Sequence, residues 1–148
     1  MLTCPYCGGK AVLVDAGTVY KHYNKKGKLW VCENYPKCDS YVGCHPNTEI
    51  PLGRLADPRL RFFKKKAHCV FDPIWRSGQM SRNDAYEWLA VKMSLPLSAC
   101  HIGKFDVAQC KECIEVCKKF NNAQLREWKE KYLSQYKFSR GYKNRPKR

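Results

Sequence analysis

Apolar positions along this chain change their period once, and that change divides it. Val12 to Val14 and Leu29-Trp30-Val31 are short β-type runs, which predict a hairpin over residues 11–31. Lys21-His22-Tyr23-Asn24-Lys25-Lys26-Gly27-Lys28 lies between them, and its Asn and Gly supply turn chemistry. Residues 39–56 carry Gly43, Pro46, Pro51 and Gly53 and predict an irregular connector folded against the hairpin. From residue 57 the period becomes helical. Asp57-Pro58 suits an N-cap followed by proline at the first helical position, and Leu60, Phe63, Ala67 and Phe71 fall near one face.

A second helix is predicted from Ser81-Arg-Asn-Asp84, a box-like cap, with Ala85, Trp88, Leu89 and Met93 on its stripe and Pro96 closing it. A third follows Asp106, striped by Val107, Cys110, Cys113, Ile114 and Cys117. A fourth runs from Asn122 to Phe138 through Leu125, Trp128, Tyr132 and Leu133. The expected class is α+β: a β-hairpin finger over residues 1–45, a helical domain over 46–138 and a basic tail over 139–148.

Cysteine spacing identifies the chemistry of the hairpin. Cys4-Pro-Tyr-Cys7-Gly-Gly and Cys32-Glu-Asn-Tyr-Pro-Lys-Cys38 are C-x2-C and C-x5-C pairs standing at the two ends of the hairpin. Two such pairs supply four thiolates to one tetrahedral ion, and zinc suits them because it takes soft sulfur ligands and has no redox chemistry. Gly8-Gly9 permits a tight turn at the first knuckle. A redox pair and disulfides are the competing readings. The first pair leads into a strand rather than a βαβ unit, and Met1-Leu2-Thr3 carries no export signal. The expectation is therefore a zinc site in a reducing compartment.

The string Trp30-Val-Cys-Glu-Asn-Tyr-Pro-Lys-Cys38, with Cys4-Pro-Tyr-Cys7-Gly-Gly before it, resembles the four-cysteine zinc finger at the C-terminal end of bacterial type I DNA topoisomerases. The likeness spans residues 1–43 and departs from that family in its longer insert. It implies a zinc-ribbon hairpin that binds single-stranded DNA. A wider set is similar to small phage and prophage zinc-finger-containing proteins over residues 1–120. That set comprises Cys44-His45-Pro46-Asn47-Thr48, Pro51 to Asp57, Ala67-His68, Phe71 to Trp75 and His101 to Asp106. The resemblance implies a phage or mobile-element origin.

Charge narrows the partner. The 148 residues hold 28 Lys and Arg against 13 Asp and Glu, a net charge of +15. So large an excess repels itself in the folded chain and points to a polyanion, with DNA the favoured nucleic acid and a single strand compatible. No apolar run approaches a membrane span. Three segments concentrate the charge. The hairpin tip has Lys21, Lys25, Lys26 and Lys28 with Tyr23 and Trp30. The first helix has Arg59, Arg61, Lys64, Lys65 and Lys66. The tail has Arg140, Lys143, Arg145, Lys147 and Arg148. Lysines suit phosphates and aromatic rings suit bases.

Two alternatives stand beside a non-catalytic binder. One is a phage inhibitor or adaptor that docks on a host nucleic-acid enzyme. The other is a metal-dependent nuclease using His68, Asp72, His101 and Asp106. Cys110, Cys113 and Cys117 read first as buried apolar residues of a helix stripe, and second as part of another zinc site.

Overall fold

The computed structural model describes residues 2–21 and 26–133. The described residues form two compact units. The first comprises the chain up to Lys65 together with Ile102–Ala108, and the second comprises Lys66–His101 with the chain from Gln109 onward.

The first unit is built on an antiparallel sheet of three strands, β1 (Ala11–Asp15), β2 (Lys28–Cys32) and β3 (Tyr41–Gly43), with β2 in the middle. The predicted hairpin is β1 and β2, in a register that sets Ala11 opposite Cys32 and Asp15 opposite Lys28. The third strand corrects the expectation of an irregular connector. Tyr41 pairs with Val31 and Gly43 with Leu29. Three residues ending in glycine give too short a pattern to announce a strand. What holds it is backbone hydrogen bonding, which any residue but proline supplies. Beyond it, Tyr41 and Ala56 exchange N–H···O bonds of 3.2 and 2.9 Å, and Leu52 N–H reaches the Gly43 carbonyl at 2.9 Å. The connector is thus stitched to β3 at Leu52 and at Ala56.

The pleat splits the apolar residues of this unit into two clusters. Cys4, Ala11, Cys32, Val42 and Leu55 form one, with Leu2, Trp30 and Cys38 packed against it. Ala16, Leu29 and Val31 form the other, with Val14, Val19, Tyr20, Tyr35 and Tyr41 around them. Three metal-ligating candidates are therefore part of a hydrophobic core.

Helix α1 (Pro58–Arg76) starts in the first unit and ends in the second. Asp57 caps it as predicted, its Oδ1 accepting the Leu60 N–H at 2.8 Å. Leu60, Ala67, Phe71 and Ile74 are its buried positions. Arg61 ties the first turns to the sheet: its guanidinium donates to the Asp39 carboxylate (3.2 Å) and the Ala56 carbonyl (2.7 Å), and lies 4.1 Å from the Tyr41 ring centroid.

The second unit holds α2 (Arg82–Met93), most of α3 (Val107–Lys118), and α4 (Asn122–Trp128), which passes into a π-helical turn over Lys129–Leu133. Ser81 accepts the Asp84 N–H, and Ser94, in the left-handed conformation, ends α2. The predicted stripes are inside: Ala85, Trp88, Leu89 and Met93 on α2, and Cys110, Cys113, Ile114 and Cys117 on α3. Ring contacts of Phe71 with Tyr86 (4.5 Å) and Trp88 with Phe120 (5.0 Å) close this core. Asn121 caps α4. Trp128 is buried as predicted; the side chains of Tyr132 and Leu133, the predicted end at Phe138 and the tail 139–148 lie outside the described residues. No helix among the described residues is long and apolar enough to cross a membrane.

Candidate metal centre

Two knuckles of the same design bring the four predicted sulfurs together. In the first, Cys4 N–H bonds the Gly9 carbonyl at 2.8 Å, Gly8 adopts φ 76°, and Gly9 N–H points at the Cys7 sulfur at 3.4 Å. In the second, Asn34 N–H points at the Cys32 sulfur at 3.4 Å, and Cys38 N–H closes the turn on the Asn34 carbonyl at 2.9 Å. The residue two places after a ligand thus donates to its sulfur in both. The Tyr35–Pro36 peptide between the last two ligands is cis.

Sulfur separations fit a metal tetrahedron. Zinc–sulfur bonds of about 2.3 Å give tetrahedral edges of about 3.8 Å. Cys4 and Cys38 are 3.7 Å apart, Cys7 and Cys32 3.4 Å, and all four ligand atoms lie within 4.8 Å of one another. A disulfide needs about 2.05 Å, and a redox C-x-x-C sits at a helix N-terminus, whereas this pair occupies a turn between the Thr3–Lys10 bridge strands. The donor set is four thiols with no competing carboxylate, which is the chemistry zinc takes in structural sites.

The surroundings prepare the sulfurs unequally. Burial pushes the Cys4 thiol up, but the Ser40 hydroxyl and the backbone N–H groups of Cys7 and Tyr6 outweigh it and hold the group at about 6. The Asn34 amide and Gly9 N–H lower Cys7. Burial drives Cys32 up to about 12 and also raises Cys38. Cys4 and Cys7 are therefore the readier to shed their protons, and Cys32 and Cys38 lose theirs as a cation binds.

Two residues of this second layer, Ser40 and Asn34, escaped sequence reading. Ser40 is fully buried, with its oxygen 3.1 Å from the Cys4 sulfur and 3.8 Å from that of Cys38. Asn34 Nδ2 donates to the Cys7 sulfur at 3.4 Å. Gly9 is the position that lets that amide approach, since a Cβ there would stand 2.9 Å from Asn34 Nδ2 and 3.3 Å from the Cys7 sulfur. The only trace of Ser40 and Asn34 in the sequence is proximity to ligands, and that alone does not tell a donor from a spacer.

Among the described residues, Cys4, Cys7, Cys32 and Cys38 are the one group of three or more potential ligands within reach of a common ion. Cys113 and Cys117 are 4.0 Å apart along α3, buried with Cys110 among apolar side chains, and burial with the Cys117 neighbour raises the Cys113 thiol far above its ordinary value. His68 Nδ1 pairs with Asp72 at 3.2 Å, and Asp72 also faces Arg76 at 3.9 Å. The His101 ring meets that of Tyr86 in a tilted contact, with centroids 5.3 Å apart.

The predicted cations occupy different situations. Lys21, Lys26 and Lys28 are exposed near the hairpin turn, and Arg59, Lys65 and Lys66 are exposed on α1. Arg61 is committed to Asp39, Ala56 and Tyr41, and Lys64 donates to the Gly103 carbonyl at 2.8 Å. Trp30 is half-buried against the metal-side cluster, with its indole N–H given to the Glu49 carbonyl at 2.7 Å. Tyr23, Lys25, Arg140, Lys143, Arg145, Lys147 and Arg148 lie outside the described residues.

No curated protein and no solved structure matches this chain significantly. The family model described as a zinc-finger-containing domain matches residues 1–120, a span that includes all four ligands. By that match and by its four-cysteine centre, the chain belongs to the zinc-finger-containing domain family.

Proposed function

We propose that this protein is a non-catalytic nucleic-acid-binding module of phage or mobile-element origin, held together by zinc and working in the cytoplasm of a bacterial host. The observation that carries this is charge: a net +15 on 148 residues, with Lys21, Lys26 and Lys28 exposed beside a hairpin whose geometry the metal fixes. Arg59, Lys65 and Lys66 extend the exposed basic surface along α1. A rigid scaffold that displays cations spends little conformational entropy on meeting phosphates. His68 Nδ1 and the Asp72 carboxylate lie 3.2 Å apart, one helical turn from each other, and no group of three potential metal ligands includes them among the described residues.

The test is salt dependence. Each phosphate neutralised on a single strand contributes a log–log slope of about −0.7. Fluorescence anisotropy with random DNA and RNA strands should show tight binding at low salt and a slope of several contacts. Removing residues 139–148, or neutralising Lys26 and Lys28, should flatten that slope for all sequences alike. Absence of binding to any strand at low salt would overturn the proposal in favour of docking on a host nucleic-acid enzyme. Metal-dependent cleavage of labelled DNA would replace it with the nuclease.

A further inference from the structure

A groove of about 840 Å³ opens beside the apolar cluster of Ala16 and Leu29, which is separate from the cluster that holds Cys4, Cys32 and Cys38, and Cys44 is among the residues that line it. Buried Ala16 and Leu29 floor it, and Tyr20 and Leu52 give it apolar walls. Exposed Lys26 and Lys28 and the turn from His45 to Glu49 also line it. Sites that enclose small organic groups have volumes of about 300–1,000 Å³, apolar linings and a few polar atoms.

We propose that this groove receives an unpaired base of a single-stranded nucleic acid, with the adjoining phosphates on Lys26 and Lys28. The inference rests on the nucleic-acid reading above and names the place where a strand is recognised. Three features favour that occupant. An apolar slot whose lining includes two lysines, with Glu49 the one acid along it, matches a ligand that is a flat ring attached to an anion. The His45–Glu49 wall is preformed: His45 N–H bonds the Ile50 carbonyl at 2.9 Å, Thr48 Oγ1 donates to the His45 carbonyl at 2.9 Å and accepts the Ile50 N–H at 3.2 Å, and the Trp30 indole holds the Glu49 carbonyl. Such a wall is already ordered before a ligand arrives. Tyr20 is steadied by an edge-on contact with Tyr41 at 5.8 Å, so its ring is a fixed surface. A duplex cannot fill the groove without first extruding a base, which disfavours it by the loss of stacking and pairing.

The decisive measurement compares a short oligothymidylate with an abasic strand of equal length and charge, and with oligouridylate to separate DNA from RNA. The zinc-loaded full chain should bind the base-bearing strand about tenfold more tightly than the abasic one. Leu52→Asn should abolish most of that preference and leave abasic binding unchanged, because Leu52 is half-exposed and touches no phosphate in this arrangement. Leu52→Thr reads the same ratio should the first variant lose its zinc. Equal binding of base-bearing and abasic strands would overturn the groove assignment and leave the nucleic-acid reading standing, as would a preference that survives both Leu52 variants. No binding to any strand would remove both.

Discussion

The Ser40 hydroxyl lies 3.1 Å from the Cys4 sulfur, inside a side chain that has no exposed surface. A buried hydroxyl needs a partner, and a thiolate is the acceptor on offer. Ser40 therefore belongs to the metal centre as much as to the loop before β3. Replacing it with alanine removes a donor that holds the Cys4 thiol at about 6 against burial.

Ser40→Ala should weaken zinc about 10- to 100-fold, the usual effect of losing a group that orients a ligand. Competition with a chromogenic chelator reads the affinity. The sign with pH follows from the lowered Cys4 value. With Ser40 present, Cys4 stays ionised down to about 6. Without it the thiol regains a higher value, so protons displace zinc at a higher pH than in the parent protein. Stoichiometry at alkaline pH should remain one ion per chain.

Cys32→Ser should carry no zinc and should lose the folded first unit. Cys32 is a ligand and also a member of the apolar cluster with Cys4, Ala11, Val42 and Leu55. Structural zinc supplies about 10–16 kcal/mol in small modules, more than the margin by which such a core is stable. Elemental analysis and amide exchange over residues 2–21 and 26–56 check both halves of this statement; unchanged zinc would refute the ligand assignment.

Gly53→Ala should be strongly destabilising. A Cβ at this position overlaps the Gly103 carbonyl, which is backbone and also accepts from Lys64. Overpacking of this kind costs about 1–3 kcal/mol or more. Gly17→Ala is the control, because nothing lies within 4 Å of a Cβ there. Thermal unfolding of the two variants should differ clearly, with only the first lowered.

Cys113→Ala should lower stability by about 1 kcal/mol and leave zinc content alone, because its sulfur is buried in the helical core, 4.0 Å from that of Cys117. A fall in bound zinc on this substitution would show that α3 also ligates metal.

The sequence alone determined the metal centre's ligands, the hairpin and the helix starts. Each depends on local information: a two-residue spacer that one turn can close, alternation in strands, and Asp57 or Ser81 placed before a helical stripe. The stripe through Cys110, Cys113 and Cys117 was legible for the same reason, since a period of three to four residues fixes a shared face before any partner is known. The tertiary structure decided what depends on residues distant in sequence. The β3 strand exists because Tyr41–Gly43 finds the open edge of β2. Arg61 and Lys64, which look like their exposed neighbours in a run of cations, are committed because Asp39, Tyr41 and Gly103 come within reach of their heads. Trp30, an aromatic beside a basic turn, packs toward the metal side because the strand's pleat sends alternate residues to opposite faces. Periodicity says which side of an element is apolar. Only packing says which partner fills that side, and hydrogen-bond geometry then assigns each polar group to structure or leaves it for a ligand.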